Sequence, residues 1–243
     1  MSNTISLAAK LTVNKTYRVA VCLYPGVTTL DYQGPAELLG EFSTKSRANP
    51  GPFLQSLENL PEFVIESEYL SHTMEPVFPW AGPAVLPTGT YTEAINARKQ
   101  FDIIMIPGGI TGTPELVDRS LLEFIKHQGP GAKHIFTICT GSWILAGTGL
   151  LNGKKATSNK SLFKKITEST KDMNITWIPK ARFVVNDDKK IWTSSGVTAG
   201  LDMANAFLEY LAGPEIGKEL GAAIEMRFMG AEDDEFASIY GLV

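Results

Sequence analysis

Cysteine and histidine are both scarce in this sequence, which has two cysteines and three histidines among its 243 residues. Two cysteines, each inside an apolar run, argue against a disulfide framework and favour a reducing compartment. Histidine, cysteine and acidic residues do not occur at the spacing of metal ligands. Neither a G-x-G-x-x-G run nor a G-x-x-x-x-G-K-[ST] run is present. We therefore expect no metal site, no bound cofactor and no phosphate-binding loop.

Basic clusters and long apolar runs are also missing. The net charge is −4, and without a basic patch the sequence lacks the electrostatic signature of a nucleic-acid-binding protein. Residues 1–16 have no apolar centre typical of a signal peptide, and no apolar stretch approaches the roughly 20 residues that span a bilayer. We expect a cytoplasmic protein that binds neither nucleic acid nor membrane and acts on a small molecule.

Strand and helix patterns alternate along most of the chain. Short runs rich in β-branched residues predict strands, and apolar residues at helical spacing predict helices. The predicted strands are 17–23, 63–65, 101–106, 134–138, 155–158, 175–178, 182–185 and 191–193. The predicted helices are 34–39, 93–100, 114–128, 142 onward, 161–169, 198–211 and 214–229. This order predicts a single-domain α/β three-layer sandwich, with a mostly parallel central sheet and helices on both faces.

The domain boundaries follow from composition. Hydrophobic residues make up 44% of the chain, which is ample for one sizeable core. We predict a loose N-terminal segment at 1–16, one α/β domain at 17–230 and an acidic C-terminal tail at 231–243. Residues 43–61 have little periodicity and several turn-forming residues, which is typical of a surface insertion.

Cys139 stands where a predicted strand, His134–Ile138, changes directly into a helix beginning near Ser142. A thiol at a helix N-terminus is stabilised as thiolate by unpaired N–H groups and by the helix dipole. This is the geometry of a nucleophile elbow. The alternative is a buried structural cysteine, which is how we interpret Cys22 inside the first strand. We expect Cys139 to be a thiolate at neutral pH, although a nearby carboxylate would oppose this.

Other candidate residues follow neighbouring strands. Asp31 comes after the first strand, and Gly108 and Gly109 end the strand at 101–106. Ligands of parallel sheets collect at the carboxyl ends of strands, so these residues are expected to meet Cys139 there. Asp31 is either a proton carrier or an aspartate that caps a helix or stabilises a turn. The glycine N–H groups either form an oxyanion hole with the N–H of Thr140 or belong to an ordinary turn.

Histidine is the usual partner of a cysteine nucleophile, but none of the three histidines is well placed. His72 lies in a polar turn, His127 near a helix end, and His134 at the start of the strand that ends at Cys139. We interpret all three as structural or solvent-facing, which leaves Asp31 as the candidate acid and base.

Several motifs, in order along the chain, resemble the ThiJ/PfpI superfamily, which has a flavodoxin-like, class I glutamine-amidotransferase-like fold. They are Asp-Tyr-Gln-Gly-Pro-Ala-Glu at 31–37, Ile-Pro-Gly-Gly at 106–109, Ile-Cys-Thr-Gly-Ser at 138–142, Ala-Gly-Thr-Gly-Leu-Leu-Asn-Gly at 146–153 and Ser-Ser-Gly-Val-Thr-Ala-Gly-Leu-Asp at 194–202. The sequence is most similar to the isonitrile hydratase branch and to the amidotransferase-like domains of some bacterial regulators.

The resemblance implies a role for each matching residue. Cys139 is expected to be the nucleophile, Asp31 the acid/base carboxylate and Thr140 a neighbouring hydrogen-bonding group. Gly109 and Thr140 are the expected oxyanion donors. Homodimerisation through the first helix and its surroundings is also implied.

Four further residues lie in the same motifs. Gly108 and Gly141 are expected to border the oxyanion and substrate position. Gly34 and Ser195 are expected to support the site from behind without touching substrate.

The chain departs from the superfamily pattern at Asn159. Many relatives have a histidine there, in a Thr-Thr-His-type run, where this chain has Thr157-Ser158-Asn159-Lys160. A protease-like or amidotransferase-like Cys–His pair is therefore unsupported. The residues after the last predicted helices are also too few and too acidic for the helix-turn-helix module of the regulators.

The sequence is compatible with three functions. The first is a cofactor-independent hydratase, in which the thiol adds to a small electrophile such as an isonitrile and an N-substituted formamide is released. The second is glyoxalase or deglycase activity on 2-oxoaldehydes. The third is a redox-responsive protein without turnover, whose cysteine oxidises to sulfinate.

Overall fold

The computed structural model describes residues 13–186 and 188–243, in which nine β-strands and ten α-helices are found. The strands are β1 Lys15–Cys22, β2 Phe63–Ser71, β3 Gly89–Thr90, β4 Ile103–Ile106, β5 His134–Ile138, β6 Lys154–Ala156, β7 Ile175–Trp177, β8 Phe183–Val185 and β9 Ile191–Ser194. The helices are α1 Thr29–Gly40, α2 Thr44–Ala48, α3 Pro52–Ser56, α4 Tyr91–Asn96, α5 Arg119–Gln128, α6 Gly141–Ala146, α7 Phe163–Ser169, α8 Ala199–Ala212, α9 Pro214–Ala223 and α10 Phe236–Ile239.

The central sheet has seven strands in the order β3-β2-β1-β4-β5-β9-β8. All neighbouring strands are parallel except β8 and β9, which pair antiparallel. Strands β6 and β7 form a separate two-stranded parallel sheet. The predicted single-domain α/β sandwich with a mostly parallel sheet is confirmed.

The core is built around the central strands β4 and β5. Every residue of β4 and β5 is buried, as expected for parallel strands covered on both faces. Helix α8 contacts one face, where Phe207 packs edge-on against the rings of His134 and Phe136. Helix α5 directs Leu121 and Phe124 into the core, and Phe124 packs against helix α4.

Helix α1 begins earlier than predicted. It starts at Thr29, not at Gly34, so Asp31 lies in its first turn and Pro35 lies inside the helix. Backbone hydrogen bonds from the Thr28 N–H to the Gly108 carbonyl and from the Asp31 N–H to the Thr28 carbonyl set this start. The tertiary contact with residue 108 therefore overrides the usual preference for proline in the first turn.

Residues 43–61, predicted as a surface insertion, contain helices α2 and α3 and help to cover the core. Phe53, Leu54 and Leu57 are buried, and Phe53 packs edge-on against Phe42. The buried guanidinium of Arg47 donates to the Phe63 carbonyl at 2.6 Å. The apolar residues of this segment are too few to show a helical period, which explains why sequence pattern missed them.

Other differences concern the ends of helices. Helix α5 begins at Arg119 instead of Pro114, and helix α9 ends at Ala223 instead of Met229. The predicted cap Ser161 is itself inside a 3₁₀ turn, Lys160–Leu162, which Asn159 caps. Residues 1–12, most of the predicted N-terminal segment, lie outside the described residues.

Candidate active site

Strands β1, β4 and β5 are neighbours in the sheet, and the loops at their carboxyl ends meet around Gly108. A Cβ atom placed on Gly108 would lie 2.7 Å from Thr140 N, 2.8 Å from Asp31 Oδ2 and 2.8 Å from Cys139 Cβ. The structure thus brings together the four residues that sequence reasoning joined. Only glycine at 108 allows this approach, because any side chain would occupy the space between them.

Cys139 has the backbone of a nucleophile elbow. Its φ is 57°, a left-handed conformation that is uncommon for a residue with a side chain. Its N–H donates to the Ser195 carbonyl at 3.0 Å, and its carbonyl accepts from the hydroxyls of Ser142 at 3.1 Å and Ser158 at 2.9 Å. Gly141 follows in contact with β4, where a Cβ would lie 1.9 Å from the Ile106 oxygen. These contacts hold the strained backbone in place.

Asp31 is fully buried beside the thiol and does not cap helix α1. Its Oδ2 accepts from the Gly108 N–H at 3.0 Å, while no side-chain cap is made at the helix start. The capping interpretation is therefore wrong. Its Oδ1 has no hydrogen-bond partner among the described residues. Burial raises the pKa of Asp31 to about 7, although the Gly108 N–H and the Cys139 thiol oppose this rise.

The predicted resting thiolate at Cys139 is wrong. Burial, and then the charge of Asp31, raise the pKa of the Cys139 thiol to about 12. Hydrogen bonds from the Thr140 N–H, the Asn159 side chain and the Val197 N–H lower it only in part. Helix α6 has six residues, so its dipole is small. Cys139 therefore rests as a thiol beside a carboxyl that titrates near neutrality.

The predicted oxyanion donors are only partly available. The Gly109 N–H donates to Thr140 Oγ1 at 3.1 Å, and the Gly108 N–H donates to Asp31. Both glycine N–H groups therefore have acceptors within the protein, and their role as oxyanion donors stays a prediction. The Thr140 hydroxyl joins the two strand ends, because it also donates to the Gly109 carbonyl at 3.3 Å. The N–H groups directed at the sulfur are those of Thr140 and Val197.

Asn159 contacts Cys139, a contact that sequence reasoning missed. The Asn159 Oδ1 accepts from the backbone N–H of Ser161 at 2.9 Å and of Leu162 at 3.3 Å. This fixes the side-chain orientation and leaves the amide N–H₂ to face the thiol and Gly196, where a Cβ would lie 2.8 Å from Nδ2. An asparagine donates hydrogen bonds but has no proton that titrates at neutral pH. The position of Asn159 in the superfamily motif was the available signal.

Val197 is the second contact that was missed. Its φ is 39°, a strained value for a β-branched residue. The hydrogen bond from its N–H lowers the pKa of the Cys139 thiol. The motif at 194–202 pointed to this loop, but a backbone donor leaves no trace in the side-chain pattern.

Two predicted supporting residues act through packing and backbone. Gly34 lies in helix α1 against α8, where a Cβ would be 3.0 Å from Leu201 Cδ2. Ser195 is buried and holds Cys139 through its carbonyl, while its own N–H donates to the Arg182 carbonyl at 2.9 Å.

The histidines lie away from the thiol. His134 is at the opposite end of β5 from Cys139, where its Nδ1 donates to the Lys189 carbonyl at 2.8 Å. His72 is within 3.3 Å of the Ser71 hydroxyl, and His127 is in the last turn of helix α5. None of them contributes to the electrostatic environment of Cys139.

Comparison with known proteins identifies the family of this chain. The profile of the DJ-1/PfpI family matches residues 17–210. The chain belongs to the DJ-1/PfpI family. The resemblance read from the sequence motifs is thereby confirmed.

Relatives within the family have different named activities. Isonitrile hydratase of Pseudomonas putida is 26% identical over 208 residues, which cover 86% of this chain and 78% of that protein. The glutathione-independent glyoxalase DJR-1.2 of Caenorhabditis elegans is 29% identical over 151 residues, which cover 60% of this chain and 74% of that protein. The crystal structure of a ThiJ/PfpI family protein from Pseudomonas syringae superimposes with a TM-score of 0.69 and 24% identity, covering 93% of this chain and 81% of that chain.

Two buried ion pairs lie behind this DJ-1/PfpI site, and sequence pattern did not reveal them. Arg182 Nε is 2.7 Å from Asp202 Oδ2, and Lys160 Nζ is 3.0 Å from Asp234 Oδ2. Asp234 belongs to the segment predicted as an acidic tail, so this segment folds back onto the domain. Each pair joins residues far apart in sequence.

Within 13–186 and 188–243, no helix has the length and apolar character required to cross a bilayer. In the same residues, no three histidine, cysteine or acidic side chains are grouped as they would be around a metal ion.

Proposed function

We propose that this protein is a cysteine-dependent enzyme that hydrates a small isonitrile to an N-substituted formamide. The observation that carries the proposal is the pair formed by the Cys139 thiol and the buried Asp31 carboxyl, with a pKa near 7 for the carboxyl. A carboxyl that titrates near the working pH is suited to accept a proton and return it. The relative that hydrates isonitriles gives independent support.

In the first step, Asp31 takes the thiol proton while the sulfur attacks the terminal carbon of the isonitrile. A carbon–sulfur bond forms, and Asp31 returns the proton to that same carbon. The product is a thioimidate bound to Cys139. Because the pKa of the thiol is raised to about 12, attack requires a base at hand, and Asp31 is the adjacent one.

In the second step, water adds to the thioimidate carbon, and Asp31 transfers a water proton to the nitrogen. The carbon–sulfur bond then breaks as the new hydroxyl group becomes the formamide carbonyl. Its proton passes through Asp31 to the departing sulfur, which restores the thiol. The net reaction adds one water to one isonitrile, and Asp31 ends in its starting state.

Asn159 suits this chemistry better than histidine would. Its amide and the N–H groups of Thr140 and Val197 are directed at the sulfur, where they stabilise negative charge as the thiol loses its proton. Since Asn159 cannot take a proton, all proton transfer is left to Asp31. A single carrier suffices for hydration, because each proton is released and used at neighbouring atoms.

The test is consumption of p-nitrophenyl isocyanide and of methylglyoxal by the wild type, Cys139→Ser and Asp31→Asn. We expect formamide production by the wild type and far slower production by both variants. Loss of methylglyoxal without any reaction of the isonitrile would replace the hydratase proposal with a glyoxalase, the activity named for the C. elegans relative. If neither substrate reacts and Cys139 oxidises readily to sulfinate, a redox-responsive role would replace both.

We also propose a homodimer. Phe78, Trp80 and Ile110 expose more than half of their side chains, and all three are tied by backbone hydrogen bonds to residues 26–27 beside the site. A clustered apolar surface of this kind is typical of an interface. Light scattering at micromolar concentration should give twice the chain mass, and a monomer mass would contradict the proposal. A cytoplasmic location is also proposed, supported by the two unpaired cysteines.

A further inference from the structure

A cleft of about 200 Å³ is lined by Asn159, Ser195 and Val197, three residues that also contact Cys139. One wall contains Asn159 and Val197, the two residues whose N–H groups reach Cys139 from this side. The cleft is also lined by Phe236 and Tyr240, which come from the C-terminal segment and are 39% and 47% exposed. The residues that contact the thiol thus also border a space lined by two aromatic rings.

The charged residues of this cleft are already neutralised. Lys160 and Arg182 line it, but both are buried and paired with Asp234 and Asp202. Lys160 makes two further hydrogen bonds, to the Thr157 hydroxyl at 2.8 Å and the Ala181 carbonyl at 2.7 Å. Neither cation is free to bind a carboxylate or a phosphate. The cleft is therefore suited to an uncharged group.

The aromatic wall is fixed to the domain. The Arg182 N–H donates to the Ala231 carbonyl at 2.7 Å, and Lys160 Nζ lies 3.0 Å from Asp234 Oδ2. Asp234 Oδ1 in turn accepts from the N–H of Ala237, whose side chain is fully buried. The segment is thus anchored on both sides of Phe236. A preorganised wall loses little entropy when a ligand packs against it.

We propose that this cleft binds the uncharged apolar substituent of the substrate and that Phe236 and Tyr240 set the preference for an aromatic or branched substituent. A cavity of about 150 Å³ holds a benzene molecule, so the cleft has room for one such ring. The inference rests on the proposed function only in taking Cys139 as the reacting atom.

The test is the rate of Cys139 alkylation by three reagents, iodoacetamide, N-benzyl-iodoacetamide and iodoacetate, at pH 8 in a Cys22→Ser background. Alkylation joins sulfur to carbon, releases iodide and passes the thiol proton to solvent, so no isonitrile turnover is required. Each rate is divided by the rate of the same reagent with a small free thiol. We expect the benzyl reagent to be favoured over iodoacetamide by about five- to ten-fold, as a well-packed aromatic contact allows, and iodoacetate to be the slowest.

The variants Phe236→Ala and Tyr240→Ala should each bring the ratio of the benzyl rate to the iodoacetamide rate close to that of the small free thiol. Ile239→Ala is the matched control, because Ile239 lies on the same helix, is 70% exposed and does not line the cleft. Phe236→Leu, which keeps an apolar wall, should retain part of the preference. Thermal unfolding of each variant verifies that the segment remains folded.

The inference would be overturned by an equal benzyl preference in wild type and Phe236→Ala, by an effect of Ile239→Ala as large as that of Phe236→Ala, or by a preference for iodoacetate. If isonitriles are not hydrated but the benzyl preference is present, the proposed reaction is rejected and the proposed binding cleft is retained. Hydration of several isonitriles at rates independent of Phe236 and Tyr240 would reject the cleft and keep the reaction.

Discussion

The two cysteines are both buried and both unpaired, yet their surroundings differ. Cys22 lies inside β1, and burial alone raises its pKa far above the ordinary value. Cys139 is also buried, but it has a strained backbone, three hydrogen-bond donors directed at its sulfur and a carboxyl beside it. Burial makes a thiol inert. What distinguishes Cys139 is the machinery that can remove its proton and stabilise the charge that remains.

The largest difference is expected when each cysteine becomes serine. Cys139→Ser should lower turnover by at least about 1,000-fold, because the nucleophile is lost. Cys22→Ser should leave turnover within about threefold but lower the free energy of unfolding by about 1–3 kcal/mol, since it buries a hydroxyl in an apolar strand. Steady-state kinetics and urea unfolding measure the two effects. Equal losses of turnover in both variants would contradict the different roles assigned to the two cysteines.

Asp31→Asn should give the next largest effect. The amide keeps the shape of the carboxyl and can still accept from the Gly108 N–H, but it cannot take up or release a proton at neutral pH. Turnover should fall by about 100-fold or more with the fold intact. Turnover within about threefold of the wild type would remove Asp31 from the mechanism and leave Cys139 without a proton carrier.

The same variant should reveal the cost of keeping Asp31 buried. Because the folded state raises the pKa of Asp31 from its ordinary value of 3.8 to about 7, the folded state binds more protons than the unfolded state between these pH values. The free energy of unfolding of the wild type therefore includes the full contribution of protonated Asp31 below about pH 4. This contribution is lost as pH rises to about 7. Asp31→Asn should accordingly gain stability relative to wild type from pH 4 to pH 8. Thermal melts across this range measure the trend, and a constant difference between the two proteins would contradict it.

A smaller effect is expected at Asn159, where two variants separate structure from chemistry. Asn159→Asp keeps the oxygen that caps the 3₁₀ turn but replaces the amide donor with a second negative charge. We expect it to fold normally, to raise the pKa of Cys139 and to lower turnover by about tenfold or more. Asn159→Ala also loses the cap, which should cost about 1 kcal/mol of stability. Full activity in Asn159→Asp would show that the amide does not act on the sulfur.

The sequence predicted local features well and long-range ones less well. The bounds of β5 were predicted correctly, because the apolar run stops at a small-residue turn. The approach of Asp31, Gly108 and Cys139 followed from the order of parallel strands. The start of helix α1 was wrong, since a hydrogen bond to residue 108 sets it. The pKa of Cys139 was wrong in direction, because burial depends on the whole fold. The Lys160–Asp234 pair joins residues 74 positions apart, beyond the reach of any local pattern.

The most direct test of the account is the pH dependence of iodoacetamide alkylation at Cys139, measured in Cys22→Ser and again with Asp31→Asn added. The account predicts a thiol that is still largely protonated at pH 8.5, the value at which a free thiol is half ionised. It also predicts that Asp31→Asn shifts the alkylation curve to lower pH, because the charge of Asp31 raises the pKa of the thiol. A midpoint at or below about 8.5, or a curve that Asp31→Asn leaves in place, would contradict the coupled thiol–carboxyl pair.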